Sequence, residues 1–292
     1  MAFRIAALPR ALRVSQWIKN LLVFVPIVVD HRLLDPALFT AACIAFVAFC
    51  MAASGAYVLN DLLDLEADRA HQTKRRRPFA AGELDPRAGW VLFPLLVGGA
   101  VVLGAVALPT DFVALLLLYL VITTAYSTWL KRLAVLDVLL LAGLYTLRVL
   151  AGGAATGVTP SSWLLAFAMF LFLSLAFLKR FAEMRESGTA ELANRRGYRA
   201  GDLAWLGSMG GASGYLSVLV LALYLNSEQV VSLYRRPTLL WLVCPLLLYW
   251  TGRLWFRANR GEIHEDPIVA AVSDPASYVV GLFVAITMIA AL

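Results

Sequence analysis

The sequence predicts an all-α protein, a polytopic membrane bundle of about nine transmembrane helices. Three observations carry that reading. Of 292 residues, 61% are hydrophobic and 15% charged, whereas a soluble domain is about half apolar and a quarter charged. Apolar stretches of 18 or more residues recur along the whole chain, each long enough to cross a bilayer as a helix. The alternating apolar and polar pattern of a membrane strand is absent.

The spans fall near 14–32, 36–60, 86–107, 111–129, 135–156, 161–180, 202–226, 237–257 and 275–292. The first follows a basic, amphipathic start and reads as a true span, not a cleaved leader. It opens on Gln16-Trp17-Ile18-Lys19-Asn20, with Trp17 suited to the interface belt. Asp-Pro pairs mark several starts: Asp35-Pro36, Asp85-Pro86, Asp266-Pro267 and Asp274-Pro275. Aspartate as N-cap with proline at the first helical position explains all four without catalysis. The second span ends in acids, the fourth in Tyr126-Ser127 and Lys131, and the sixth in Lys179-Arg180. The fifth carries Asp137 near its start and Arg148 near its middle. Cys43, Cys50 and Cys244 lie inside spans without metal-ligand spacing and read as small core residues.

The charges set the topology. Of 25 Lys and Arg, 21 lie in the N-terminus and in the segments after the second, fourth, sixth and eighth spans. The opposite side has Arg32, Arg235 and Arg236, and Arg148 is inside a span. By the positive-inside rule the N-terminus and the long basic loops face the cytoplasm of a bacterial inner membrane. A pI near 9.4 then reflects loops facing anionic lipid and phosphates, and no nucleic-acid partner is expected. The chain reads as one domain over 1–292. Its longest non-apolar stretches, 61–85, 181–201 and 258–274, lie on the cytoplasmic side, where chemistry is concentrated.

Residues 60–68 read Asn60-Asp61-Leu62-Leu63-Asp64-Leu65-Glu66-Ala67-Asp68. On one continuous helix the three aspartates share a stripe, Asp64 and Asp68 lying within about 60° of Asp61. Like charges on one face call for a cation, and magnesium takes carboxylate oxygens while keeping positions for phosphate. Asn60, Asp61, Asp64 and Asp68 are therefore the candidate metal ligands. Lys74-Arg75-Arg76-Arg77-Pro78 follows at once. A topology signal would explain the run, but Arg77 beside proline suits bidentate phosphate binding, and Lys74 joins it as a candidate contact.

Four further constellations stand out. Lys179-Arg180-Phe181-Ala182-Glu183 offers a cationic wall for a phosphate, or a plain Lys179–Glu183 surface pair. Tyr126 and Lys131 precede Asp137, which enters an apolar span and needs a partner such as Lys131. Arg148 must face a cavity or a partner in another helix. Lys19 and Asn20 line the cytoplasmic end of the first span. His264 with Glu262, Glu265, Asp266 and Asp274 reads as an exposed loop, not a metal site.

Taken together, these motifs resemble the UbiA-type intramembrane prenyltransferase superfamily over nearly the whole length. The resemblance rests on Asn60-Asp61-x-x-Asp64-x-x-x-Asp68, on Arg77-Pro78, and on Tyr126-Ser127 with Lys131. It implies diphosphate binding through magnesium at two aspartate-rich motifs, after the second and sixth helices. Here the second motif departs: Lys179-Arg180-x-x-Glu183 stands where a second Asp-x-x-x-Asp is expected. That departure is similar to the branch of decaprenyl-phosphate phosphoribosyltransferases. So are Gln16-Trp17-x-Lys19-Asn20, Leu147-Arg148-Val149-Leu150-Ala151-Gly152, and Asp266-Pro267 followed by Asp274.

The branch implies a magnesium-dependent transfer of 5-phosphoribose from phosphoribosyl diphosphate to a polyprenyl phosphate. Asp61 and Asp64 would act through the metal, and Glu183 or Asp137 would orient the nucleophile. Lys19, Asn20, Lys74, Arg77, Tyr126, Lys131, Arg148, Lys179 and Arg180 would bind substrate. The resemblance leaves a homo-oligomer, a trimer included, open. The alternative is a conventional prenyltransferase acting on a polyprenyl diphosphate and an aromatic acceptor, which a second Asp-x-x-x-Asp would favour. A transporter is disfavoured by the odd number of spans and the lack of matched broken helices.

Overall fold

The computed structural model describes residues 5–71, 74–187, 197–199, 201–227, 230, 234–263 and 266–292. His264 and Glu265 of the C-terminal acid cluster lie outside them. Every regular element among the described residues is helical. Seven of the nine expected spans are helices long and apolar enough to cross a membrane, and the protein is a multi-pass membrane protein. These seven are α2 (Pro36–Leu63), α3 (Pro86–Ala107), α4 (Thr110–Thr128), α5 (Leu136–Thr156), α6 (Ser162–Ser187), α7 (Asp202–Leu225) and α8 (Pro237–Asn259).

The two end spans take other forms. The first, α1 (Val14–Val29), is an apolar helix too short to count as a span by residue number. Its residues Val14–Phe24 are wound as a 3-10 helix. At about 2.0 Å rise, those 11 residues cover roughly 22 Å. The five α-helical residues after them add about 7 Å. The stretched winding thus gives α1 the thickness of a hydrocarbon core, about 30 Å. The last span is α10 (Pro275–Ala291), preceded by α9 (Pro267–Ser273) at a 77° bend.

Three of the four Asp-Pro starts cap as expected. Asp35 accepts from the N–H groups of Ala37 and Leu38, Asp85 from Arg87 and Asp266 from Ile268. The Leu38 N–H, with Arg32 and Ala37 beside it, holds the Asp35 carboxyl below the usual carboxylate value of 3.8 despite some desolvation. Asp274 also stands at the N-cap ahead of Pro275, but without a side-chain cap bond, its carboxylate being directed to Arg253 and Arg257.

The helices group into two compact units where the sequence reads as one domain. The first comprises Met1–Thr128 and Leu147–Pro160, the second Trp129–Thr146 and Ser161–Leu292. In the first, α2 packs along α3, and α1 and α4 lie against α2. Its core includes Phe49, whose ring meets Phe112 at 5.9 Å and Tyr119 at 5.1 Å. Gly152 permits a close approach inside this unit: a Cβ there would stand 2.0 Å from the Val23 carbonyl oxygen of α1. In the second, α6 packs along α7 and α8 covers α7, joined by Phe177–Trp205 and Phe181–Trp255 edge contacts. Outward faces are apolar, as lipid requires. Leu95, Val102 and Val106 are exposed on α3, and Tyr278, Leu282, Ile286 and Ile289 on α10, at helical spacing.

Candidate active site

In the first unit the acidic motif sits where α2 ends. At 28 residues α2 is about 42 Å long, longer than the hydrocarbon core. Its last turn carries Asn60 and Asp61. The helix breaks at Asp64 (φ −93°, ψ 9°), and a short helix, Leu65–Ala70, carries Asp68. The single continuous acidic stripe expected from the sequence is thus interrupted. Asn60 and Asp64 are half-buried at the break, while Asp61 and Asp68 are 2% and 3% exposed.

Asp61 and Asp68 nevertheless meet, on a guanidinium. Arg77 Nη1 donates to Asp61 Oδ1 at 3.1 Å and to Asp68 Oδ2 at 2.6 Å. Arg13 Nη2 donates to Asp61 Oδ1 at 2.6 Å, and its guanidinium lies 4.5 Å from the centre of the Tyr57 ring. Arg13 takes a left-handed backbone, φ 50° and ψ 52°, at the start of α1. Pro78 is buried, and its carbonyl accepts from the N–H groups of Glu83 and Leu84. Arg77 is thus presented on a fixed turn. Lys74 is half-buried in the 3-10 turn Lys74–Arg76 that precedes it.

Deeper in the same unit, Arg148 is buried. Its Nε donates to Asn20 Oδ1 at 2.9 Å and its Nη2 to the Tyr119 hydroxyl at 3.1 Å. The guanidinium stands over the Tyr119 ring at 4.8 Å. Asn20 in turn donates to Cys50 Sγ. Lys19 beside it is buried too. Trp17, expected as an interface anchor, donates instead to Ser54 Oγ at 3.0 Å, which donates to the Leu12 carbonyl. Tyr126 is half-buried near the end of α4.

In the second unit the basic motif forms its own network. Arg180 and Asp137 are both fully buried and paired through Arg180 Nε and Asp137 Oδ2. Arg180 Nη1 donates to Glu183 Oε2. The Tyr198 hydroxyl donates to Asp137 Oδ1 at 2.6 Å and accepts from the Val135 N–H at 2.9 Å. Burial, with the Asp137 carboxylate next to it, pushes the Tyr198 phenol well above its usual 10.0. Val135 has φ 68°, a strained backbone for a β-branched residue. Gly197 (φ 71°) allows this closure, since a Cβ there would stand 2.6 Å from the Arg132 carbonyl oxygen. Lys179 Nζ donates to Asp266 Oδ2 at 3.1 Å.

One expectation is corrected. Asp137 takes Arg180 as partner, and Lys131 is half-buried in the turn Leu130–Arg132. Glu183 is engaged by Arg180, and Lys179 reaches across to Asp266. Helical spacing alone could not reveal either choice, because the winning partner is set by which helices meet.

Arg13, Tyr119 and Tyr198 were not among the expected site residues. Arg13 was legible only as a topology charge. Tyr119 sits in a largely apolar helix, and Tyr198 lies in a polar stretch of sequence without periodicity.

Among the described residues no three His, Cys, Asp or Glu side chains form a ready cation cage. The donor set still fits magnesium. Magnesium is ordinarily held by one or two carboxylates plus substrate phosphates, with water completing the octahedron. Asp61 and Asp68 offer two hard-oxygen carboxylates converging on one cationic nitrogen.

The fold and these polar clusters define a helical membrane protein with charged sites at its span ends. The UbiA prenyltransferase family model matches residues 23–273, and the chain belongs to that family. Nodulation protein NoeC of Azorhizobium caulinodans is 34% identical over 286 residues, covering 96% of this chain and 91% of its own. An uncharacterized protein of Sinorhizobium fredii is 38% identical over 285 residues, covering 96% of this chain and 55% of its own. A decaprenyl-phosphate phosphoribosyltransferase of Mycolicibacterium smegmatis is 37% identical over 199 residues, covering 66% of this chain and 60% of its own. The chain therefore spans about half of the Sinorhizobium protein and three-fifths of the mycobacterial one. A UbiA homologue from Archaeoglobus fulgidus, solved with GPP and Mg2+, superposes with a TM-score of 0.69 at 18% identity, over 97% of this chain and 98% of that one. At that identity the likeness establishes the fold.

Proposed function

We propose that this UbiA-family enzyme transfers 5-phosphoribose from phosphoribosyl diphosphate to a polyprenyl phosphate, releasing pyrophosphate. The observation that carries the reading is the basic second motif. Where the family resemblance calls for a second acidic pair, the chain has Lys179, Arg180 and Glu183, with Arg180 neutralised inside by Asp137 and the half-buried Lys179 on Asp266. An enzyme that ionises a prenyl diphosphate needs acids at both motifs. One whose lipid carries a monophosphate needs one acidic site and one cationic site. The identity shared with the mycobacterial phosphoribosyltransferase supports the same choice.

Each cluster has a role in this proposal. Asp61 and Asp68, with Asp64 and Asn60 at the helix break, hold the magnesium ion. Arg77, Lys74 and Lys19 bind diphosphate oxygens. In the second unit Lys179 binds the lipid phosphate, and in the first unit Arg148 is a further substrate contact. Arg180 serves as the buried anchor that fixes Glu183, and Tyr126 and Lys131 complete the substrate contacts. When bound, the metal supplies charge neutralisation for the leaving pyrophosphate. A lipid phosphate oxygen forms the bond to the anomeric carbon while the bond to pyrophosphate oxygen breaks. A phosphate monoester is already an anionic nucleophile, so no strong base is needed, and Glu183 or Asp137 orients. The product is a lipid-linked ribose phosphate, a donor for envelope or lipid glycosylation. The site lies on the cytoplasmic face of a bacterial inner membrane, as the charge bias indicates.

The test incubates membranes containing the protein with labelled phosphoribosyl diphosphate and polyprenyl phosphate, and separately with polyprenyl diphosphate and an aromatic acid. Labelled lipid in the first mixture is expected, abolished by EDTA, restored by magnesium, and reduced about 10²-fold by Asp61→Ala. Product in the second mixture alone overturns the proposal in favour of a conventional prenyltransferase.

A further inference from the structure

Apart from the half-buried Asp64, the ion-paired core of the acidic site in the first unit is charge-balanced. Two buried carboxylates, Asp61 and Asp68, face two guanidiniums, Arg13 and Arg77, for a formal net charge of zero. Arg77 Nη1 occupies the point on which both carboxylates converge. We propose that Arg13 and Arg77 form an exchange lock that couples cation and diphosphate binding at Asp61 and Asp68, and that Arg13 is a diphosphate-binding residue. The proposal rests on the function above only in taking a diphosphate as ligand.

The argument is electrostatic. A divalent cation entering alone adds two positive charges beside two guanidiniums whose carboxylate partners it takes. In a largely buried setting that repulsion is far stronger than in water. A diphosphate arriving alone draws the guanidiniums away and leaves two buried carboxylates unpaired, which is strongly unfavourable. When both arrive, the carboxylates keep a cation and the guanidiniums gain phosphate oxygens. No buried charge is stranded at any stage. Arginine suits this exchange because its fork matches a phosphate bidentately as well as a carboxylate.

The surroundings keep the motion small. The Arg77 carbonyl accepts from the Ala81 N–H at 2.8 Å, and Pro78 is buried. Exchange at Arg77 is therefore a side-chain movement on a fixed turn. Arg13 rests over the Tyr57 ring, a face along which a guanidinium can slide while staying stacked.

The coupling is measurable without turnover. The full chain, purified in detergent, is titrated with Mn2+ as a paramagnetic stand-in for magnesium. Free Mn2+ is read by electron paramagnetic resonance, with and without inorganic pyrophosphate, after allowance for Mn2+–pyrophosphate complexes in solution. Mn2+ is expected to bind about tenfold or more tightly when pyrophosphate is present, and pyrophosphate to gain by the same factor from Mn2+, as linkage requires. Arg77→Gln is expected to bind Mn2+ alone more tightly than the wild type and to lose most of the coupling. Arg13→Gln should shift both quantities in the same directions. Equal Mn2+ affinity with and without pyrophosphate in the wild type overturns the proposal. So does a folded Arg77→Gln variant that binds Mn2+ alone no more tightly than wild type. If the glutamine variants do not fold, Arg77→Lys and Arg13→Lys are titrated in the same way, and Mn2+ affinity and coupling unchanged from the wild type in both overturn the proposal. Pyrophosphate carries neither ribose nor prenyl group. Coupling without phosphoribosyl transfer would therefore sink the proposed function and spare the lock, and transfer without coupling would do the reverse.

Discussion

Arg180 is the bulkiest fully buried side chain among the described residues, and it is charged. Its guanidinium lies against Asp137 and Glu183, and Asp137 is held in turn by the Tyr198 hydroxyl. Such a pair is weak evidence for stability as a pair, yet it is costly to break from one side. Asp137→Ala or Arg180→Ala is expected to destabilise the protein by about 3–5 kcal/mol, each stranding a buried charge. The double replacement Asp137→Leu with Arg180→Leu should cost clearly less than the two single losses together. Thermal unfolding of the purified variants measures this, and additive losses would mean the two side chains do not share one interaction. The sequence showed that Asp137 needed a partner. It could not show that the partner stands 43 positions away, because pairing across that distance depends on helix contacts.

At the scale of elements, α1 is the informative case. A span judged by residue count fails on it, since 3-10 winding stretches 11 residues over the length of about 15 in an α-helix. The winding lies against α5 at Gly152, where no side chain fits. Gly152→Ala is therefore expected to displace the backbone near Val23, and with it Lys19 and Asn20, costing at least 1–3 kcal/mol, roughly the range for overpacking. Both the unfolding temperature and the proposed phosphoribosyl transfer should fall, and an unchanged unfolding temperature would show that α1 yields freely. Composition around Gly152 marks it only as one more small residue in an apolar helix. Its packing role appears once α1 lies on it.

For the whole molecule, the charge bias makes a topological claim. Arg75 and Arg235 are both exposed and fall on opposite sides of the predicted bundle. In a background without the three native cysteines, Arg75→Cys is expected to react with a membrane-impermeant thiol reagent only when the cytoplasmic face is open. Arg235→Cys should react in intact cells stripped of their outer barrier. The reverse pattern would place the acidic motif outside, away from a cytoplasmic supply of the proposed phosphoribosyl diphosphate.

Span positions, the acidic motif at the end of α2 and the basic motif at the end of α6 were legible in the amino-acid sequence. Hydropathy and cap chemistry are local properties, each settled by a residue and its near neighbours. The helix break at Asp64 and the choice of Arg77 and Arg13 for Asp61, of Arg180 for Asp137, and of Asp266 for Lys179 belong to the tertiary structure. A buried charge must be paired, but which opposite charge reaches it is decided by the packing of distant helices, and one-dimensional spacing carries no record of that packing.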